Sequence, residues 1–161
     1  MNIINLDKEK EIAIKAAKLA GKLLKEDKNI LNLKINSNPR DTKLKADIKS
    51  EKLILDILNS ESSYPVLAEE TGKTSDDLGD IFWVVDPLDG TANYNRNIPI
   101  CCVSIGLVKN MKPLIGVIFD FNNDDIFVGD NVNNLARLNN KDIKVSDIQK
   151  KTDGVLITGL P

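Results

Sequence analysis

The chain has 161 residues, 42% hydrophobic and 29% charged, which suits one globular domain with a sizeable core. Its 22 Lys and Arg against 24 Asp and Glu give a net charge of −2 with no long run of one sign, which argues against a nucleic-acid polymer as partner. There is no histidine; that excludes Ser-His-Asp and Cys-His catalysis and imidazole metal ligands, and leaves carboxylates with a hard cation as the main route to hydrolysis.

No apolar run is long enough to cross a bilayer, and the N-terminus interleaves Lys and Glu where a signal peptide needs an apolar block. A cytoplasmic protein with a small-molecule partner and no membrane is therefore expected. Cys101 and Cys102 are the only cysteines, and neighbours on a strand face opposite ways, so they build neither a disulfide framework nor a zinc site. Both are expected in the core.

In chain order, a long amphipathic helix is expected from Asp7 to about Asp27. Ile12, Ala16, Leu19, Ala20, Leu23 and Leu24 recur at helical spacing, Asp7 serves as N-cap and Gly21 permits close packing. Leu31 to Ile35 alternates weakly, and Asn36 to Asp41 has loop composition with a proline break. A second helix from about Leu44 to Asn59 carries Ile48, Leu53, Ile54, Ile57 and Leu58 as its apolar stripe, with Asp47 near its start. Val66 to Ala68 reads as a short strand delivering Glu69 and Glu70 at its end, and Lys73 to Asp80 as a flexible crossing.

The stretch from Trp83 to Val108 reads as a buried strand, a tight turn with Asp86 and Asp89 three residues apart, a short helical turn and a second buried strand. Five further runs follow: Leu114 to Phe121, Ile126 to Val128, Leu135 to Leu138, Ile143 to Val145 and Val155 to Thr158. Short turn clusters between them imply hairpins and an antiparallel sheet. Asp120, Asn122 and Asp124 form a turn, because Asp125 and Asn131 stand where a calcium loop needs Gly and Glu. The fold class is α+β, with two N-terminal helices packed on a mainly antiparallel sheet.

The string Asp86-Pro87-Leu88-Asp89-Gly90-Thr91 carries the chemistry. Asp-Pro-any-Asp-Gly-Ser/Thr arises by chance in about one window per million, so coincidence does not explain it. Asp86 and Asp89 offer hard oxygens, Pro87 removes a donor and leaves the Leu88 carbonyl free for a cation, and Gly90 lets a ligand approach the backbone. The N–H groups of Gly90, Thr91 and Ala92, opening a helical turn, would face an anion. The plainer alternative, a strand-to-helix turn capped by Asp89, explains any one Asp better than it explains the string.

Together with Thr91-Ala92-Asn93-Tyr94, the Val103-Ser104-Ile105-Gly106 strand, Ala68-Glu69-Glu70 upstream and Lys45-Ala46-Asp47 followed by Ser50-Glu51, this string resembles the inositol monophosphatase family, the lithium-sensitive, magnesium-dependent phosphomonoesterases. The resemblance covers essentially the whole chain and implies the first half of an αβαβα sandwich: residues 1–161 as an N-terminal metal-binding domain, with the C-terminal domain absent. It implies Glu69, Asp86, the Leu88 carbonyl and Asp89 as metal ligands. Gly90, Thr91 and Ala92 would bind phosphate, and Asp47 with Thr91 would activate the attacking water, Glu69 assisting; Glu70 is the less defined member of its pair. So many carboxylates repel unless cations neutralise them, which points to two or three Mg²⁺, with Mn²⁺ as substitute. The family's later Trp-Asp signature has no counterpart here, since Trp83 is the only Trp.

The expected activity is hydrolysis of a small phosphomonoester, such as inositol 1-phosphate or another polyol or sugar phosphate, incomplete in this chain alone. A homodimer is compatible with the resemblance. A 3′(2′),5′-bisphosphate nucleotidase or fructose-bisphosphatase of the same superfamily is the nearest alternative, although Ala92-Asn93-Tyr94 favours the inositol monophosphatase branch. A metal-binding or interaction fragment without turnover is the alternative of a different class. Asp86 and Asp89 are spaced wrongly for a haloacid-dehalogenase-type phosphatase.

Overall fold

A computed structural model describes residues 4–38 and 41–155. Helix α1 spans Leu6–Glu26, α2 Lys28–Leu31 and α3 Lys45–Glu61. Strands β1 Lys34–Asn38 and β2 Asp41–Leu44 pair as a hairpin. The remaining strands are β3 Val66–Ala68, β4 Gly72–Lys73, β5 Ile81–Asp89, β6 Cys102–Lys109, β7 Lys112–Asp120, β8 Asp125–Asp130, β9 Leu135–Leu138 and β10 Lys141–Asp142. They form one sheet in the order β10-β9-β8-β7-β6-β5-β3-β4, with the short helix α4, Thr91–Asn95, between β5 and β6.

Helix α1 begins at Asn5, whose side chain accepts from the Lys8 N–H at 3.1 Å. Asp7, expected as the cap, lies inside the first turn and pairs with Lys10. The buried face is Ile12, Ala13, Ala16, Ala17, Ala20, Gly21 and Leu24, rich in small residues so that α1 lies close to α3 and the sheet. Leu19, at 41% exposure, is off that face. Gly21 is required there: a Cβ would come within 2.5 Å of the Phe119 ring.

In α3 the face turned inward is Ala46, Asp47, Ser50, Glu51, Ile54, Ile57 and Leu58, and Ile48, expected in the stripe, is 41% exposed. The Trp83 indole N–H donates to Ser62 Oγ at 3.0 Å, fixing the start of β5 to the end of α3. Tyr94, fully buried, donates its hydroxyl to the Leu24 carbonyl at 2.7 Å and meets Phe121 edge-on. That ties α4 to the end of α1.

Several expectations are corrected. The segment read as a proline-broken loop contributes the β1–β2 hairpin, because alternation too weak to mark a buried strand still suffices for a two-stranded ribbon. The crossing from Lys73 begins inside β4. Residues 143–145 form no strand; pairing stops at Asp142, which meets Arg137. Val155 is irregular and 91% exposed, and the rest of the expected last strand lies outside the described residues. The sheet is antiparallel at every junction except β3–β5, which is parallel.

Candidate active site

The site lies where β3 ends beside β5. Their parallel register sets Ala68 against Val85, and Glu69 N–H donates to the Val85 carbonyl at 3.1 Å. The next residues, Glu69 just past the end of β3 and Asp86 within β5, are thereby brought together. Their carboxyl groups stand close enough to interact directly. Loss of surrounding water and then the Asp86 charge push Glu69 well above the ordinary carboxylate range, and burial pushes Asp86 up as well. Glu69 itself is exposed at the rim, so solvent screens part of that repulsion.

The two aspartates of the motif do not share a tight turn. Both lie within β5, across a bulge: Asp86 faces Ser104 and Asp89 faces Cys102, three steps on one strand against two on the other. Pro87 sits in the bulge, where a missing N–H costs no ladder bond. Asp86 Oδ1 accepts from the Leu88 N–H at 3.1 Å, and Asp89 is exposed. The turn comes one residue later. Gly90 has φ +88°, and a Cβ there would meet the Ile100 carbonyl oxygen at 2.7 Å, so both backbone and space demand glycine. The first amides of α4 have no partner inside the helix, and Ala92 is exposed.

Beneath this corner Asp47 is 1% exposed. Its Oδ2 accepts from the Leu44 N–H at 2.7 Å, capping α3, and its Oδ1 accepts from the Thr91 hydroxyl at 2.8 Å. The Thr91 oxygen is also 3.0 Å from the Leu88 carbonyl, but its single proton is better spent on the carboxylate. Burial raises the Asp47 carboxyl; the Leu44 and Thr91 donors counter it.

Helix α3 holds the assembly from one face. Asp47, Ser50 and Glu51 stand at i, i+3 and i+4. Asp47 accepts from Thr91, Ser50 Oγ donates to the Pro87 carbonyl at 2.8 Å, and Glu51 Oε2 accepts from the Glu70 N–H at 2.8 Å. Ser50 and Glu51 were not expected as site residues. The signal available was two polar residues continuing an apolar stripe, at positions that would otherwise be core. Glu70 turns to Lys43, with which it forms an ion pair. Cys102, expected in the core, is half-exposed with its Sγ 3.8 Å from Asp89 Oδ2, whereas Cys101 is buried.

Among the described residues no three His, Cys, Asp or Glu side chains converge as a metal-binding group. The donor set nonetheless has the chemistry of a hard-cation site: all oxygen, several carboxylates, and two of them, Glu69 and Asp86, raised by burial and by the repulsion of neighbouring carboxylates. A divalent cation would relieve that repulsion.

The comparisons agree with the geometry. Inositol monophosphatase 1 of Solanum lycopersicum is 33% identical over 151 residues, covering 91% of this chain and 55% of that protein. The Nus factor SuhB of Xylella fastidiosa is 36% identical over 151 residues, covering 92% and 54%. The solved inositol monophosphatase from Anabaena superposes with a TM-score of 0.76 at 36% identity, covering 90% of this chain and 52% of that one. The chain thus spans about half the length of the curated relatives it matches. Together with the match of the inositol monophosphatase family model to residues 5–161, they show that this chain belongs to the inositol monophosphatase family.

Proposed function

We propose that this chain supplies the metal-binding and water-activating half of a phosphatase that hydrolyses a small phosphomonoester, a polyol or sugar phosphate of the inositol 1-phosphate kind. The observation that carries the reading is the Thr91 hydroxyl donating to the buried Asp47 beside the Glu69–Asp86 pair that the β3–β5 register sets together. With its proton committed to Asp47, the Thr91 oxygen presents only lone pairs outward, and so accepts a hydrogen bond from a water and orients it. As that water gives up its proton, the Thr91–Asp47 pair is the route by which it leaves, and Asp47, raised by burial, is suited to take it.

Glu69, Asp86, the Leu88 carbonyl and Asp89 would hold Mg²⁺, two or three ions, or Mn²⁺ in its place. When bound, these ions would lower the pKa of a bound water and offset the phosphate charge. The N–H groups of Gly90, Thr91 and Ala92 receive the phosphate oxygens, at a corner left open to solvent. Because the chain spans about half of its relatives, turnover is expected to be weak here and full when the chain is joined to a family-type second half.

In that joined protein, with inositol 1-phosphate and an aryl phosphate as substrates and excess Mg²⁺, Thr91→Ala should lower kcat by about a hundredfold or more with little change in KM. An unchanged kcat would remove Thr91 from the mechanism. Calorimetric Mg²⁺ binding should be lost in Asp86→Asn and Asp89→Asn.

A further inference from the structure

Glu51 is the least explained group near the site. It is 1% exposed, charged, and one helical turn on from Asp47 along the same face of α3. One carboxylate oxygen, Oε2, accepts from the Glu70 N–H at 2.8 Å. The other, Oε1, has no hydrogen-bond partner among the described residues. Both oxygens belong to one head, so Oε1 lies near the turn that carries Glu69 and Glu70. The nearby cation, Lys43, is committed to the Glu70 carboxylate.

A buried carboxylate oxygen without a donor costs stability. A neutral glutamine would keep the bond to the Glu70 amide and avoid the charge. What a glutamate does that a glutamine cannot is present a second anionic acceptor toward a cation or toward the hydrogens of its water shell. Groups just outside the coordination sphere orient ligands in this way, and losing one typically weakens metal binding about 10- to 100-fold.

We infer that Glu51 is a positioning residue of the metal centre: its Oε2 clamps the Glu70 amide and so fixes the turn carrying Glu69, while its Oε1 accepts hydrogen bonds from the water shell of the cation held by Glu69 and Asp86. The inference rests on the metal-binding reading above. It makes the buried charge a cost in the metal-free protein that is recovered when a divalent cation binds.

The test uses the 161-residue chain, Mn²⁺ as probe followed by the electron paramagnetic resonance signal of the free ion, and thermal melting without metal. Glu51→Gln should melt at a higher temperature than the parent and bind Mn²⁺ about tenfold more weakly. A residue that matters only for folding would move the two readings differently, with a lower melting temperature and unchanged affinity. Glu51→Ala, which also deprives the Glu70 N–H of its acceptor, should bind Mn²⁺ more weakly than Glu51→Gln.

Mn²⁺ affinity of Glu51→Gln within twofold of the parent, or a melting temperature below it, would overturn the inference. Equal affinities of the Gln and Ala variants would overturn the clamp. In either case, if Asp86→Asn still abolishes binding, the metal site itself stands. A parent chain that binds no Mn²⁺ would instead overturn the metal-binding reading, and this inference with it.

Discussion

Three glycines separate the two constraints that meet at the turn after β5. Gly90 has positive φ and a backbone oxygen 2.7 Å from where a Cβ would stand; Gly72 has φ +75° with nothing within 4 Å; Gly116 has nothing within 4 Å and no positive φ. Gly116→Ala therefore changes only the unfolded chain and should stabilise by about 0.4–1 kcal/mol. Gly72→Ala adds left-handed strain of about 1–2 kcal/mol, for a net loss near 1 kcal/mol. Gly90→Ala carries that strain and must also push back the Ile100 carbonyl, which belongs to the chain entering β6; overpacking of this kind costs about 1–3 kcal/mol more. The expected loss is about 2–4 kcal/mol, or a fall in melting temperature of about 5–15 °C for a chain of this size. Melting followed by circular dichroism on the three variants gives the order Gly116→Ala, parent, Gly72→Ala, Gly90→Ala. A Gly90→Ala variant melting with Gly72→Ala would refute the claim that the Ile100 carbonyl constrains the turn.

Ser50→Ala should leave the fold intact and weaken Mn²⁺ binding several-fold, because the Pro87 carbonyl then loses the hydroxyl that pins the Asp86–Asp89 bulge to α3; affinity equal to the parent would show that the bulge holds itself. Acid should act through Asp130: burial alone would raise its carboxyl, but hydrogen bonds from Lys10 and from the Asn133 side chain and amide hold it down to about 2. A carboxyl lowered on folding stabilises above its unfolded pKa and loses that contribution as pH falls through the folded one. About 2 kcal/mol should therefore disappear between pH 4 and pH 2, and the stability gap between parent and Asp130→Asn should narrow by that amount, as urea titrations at pH 5 and pH 2 would measure. A constant gap would refute it.

The sequence by itself determined most of the elements and named the residues of the candidate site. Helical spacing located α1 and α3, turn clusters separated the hairpins of β6 to β9, and one improbable string named Asp86, Leu88, Asp89, Gly90 and Thr91. These are local properties, set by periods of 3.6 and 2 and by the needs of single residues such as Pro87 and Gly90. Pairing across the chain was decided only by the tertiary structure. Nothing in Val66-Leu67-Ala68 says that it runs parallel to β5, yet that register alone sets Glu69 beside Asp86, because a strand's partner is chosen by the burial of both faces at once. Thr91 and Asp47 are 44 positions apart, and only the packing of α3 under the β5 bulge lets one hydroxyl reach one carboxylate. Ser50 and Glu51 stayed hidden for the same reason: a polar residue on a helix's inward face acquires a role only when the fold supplies its partner, here the Pro87 carbonyl and the Glu70 amide.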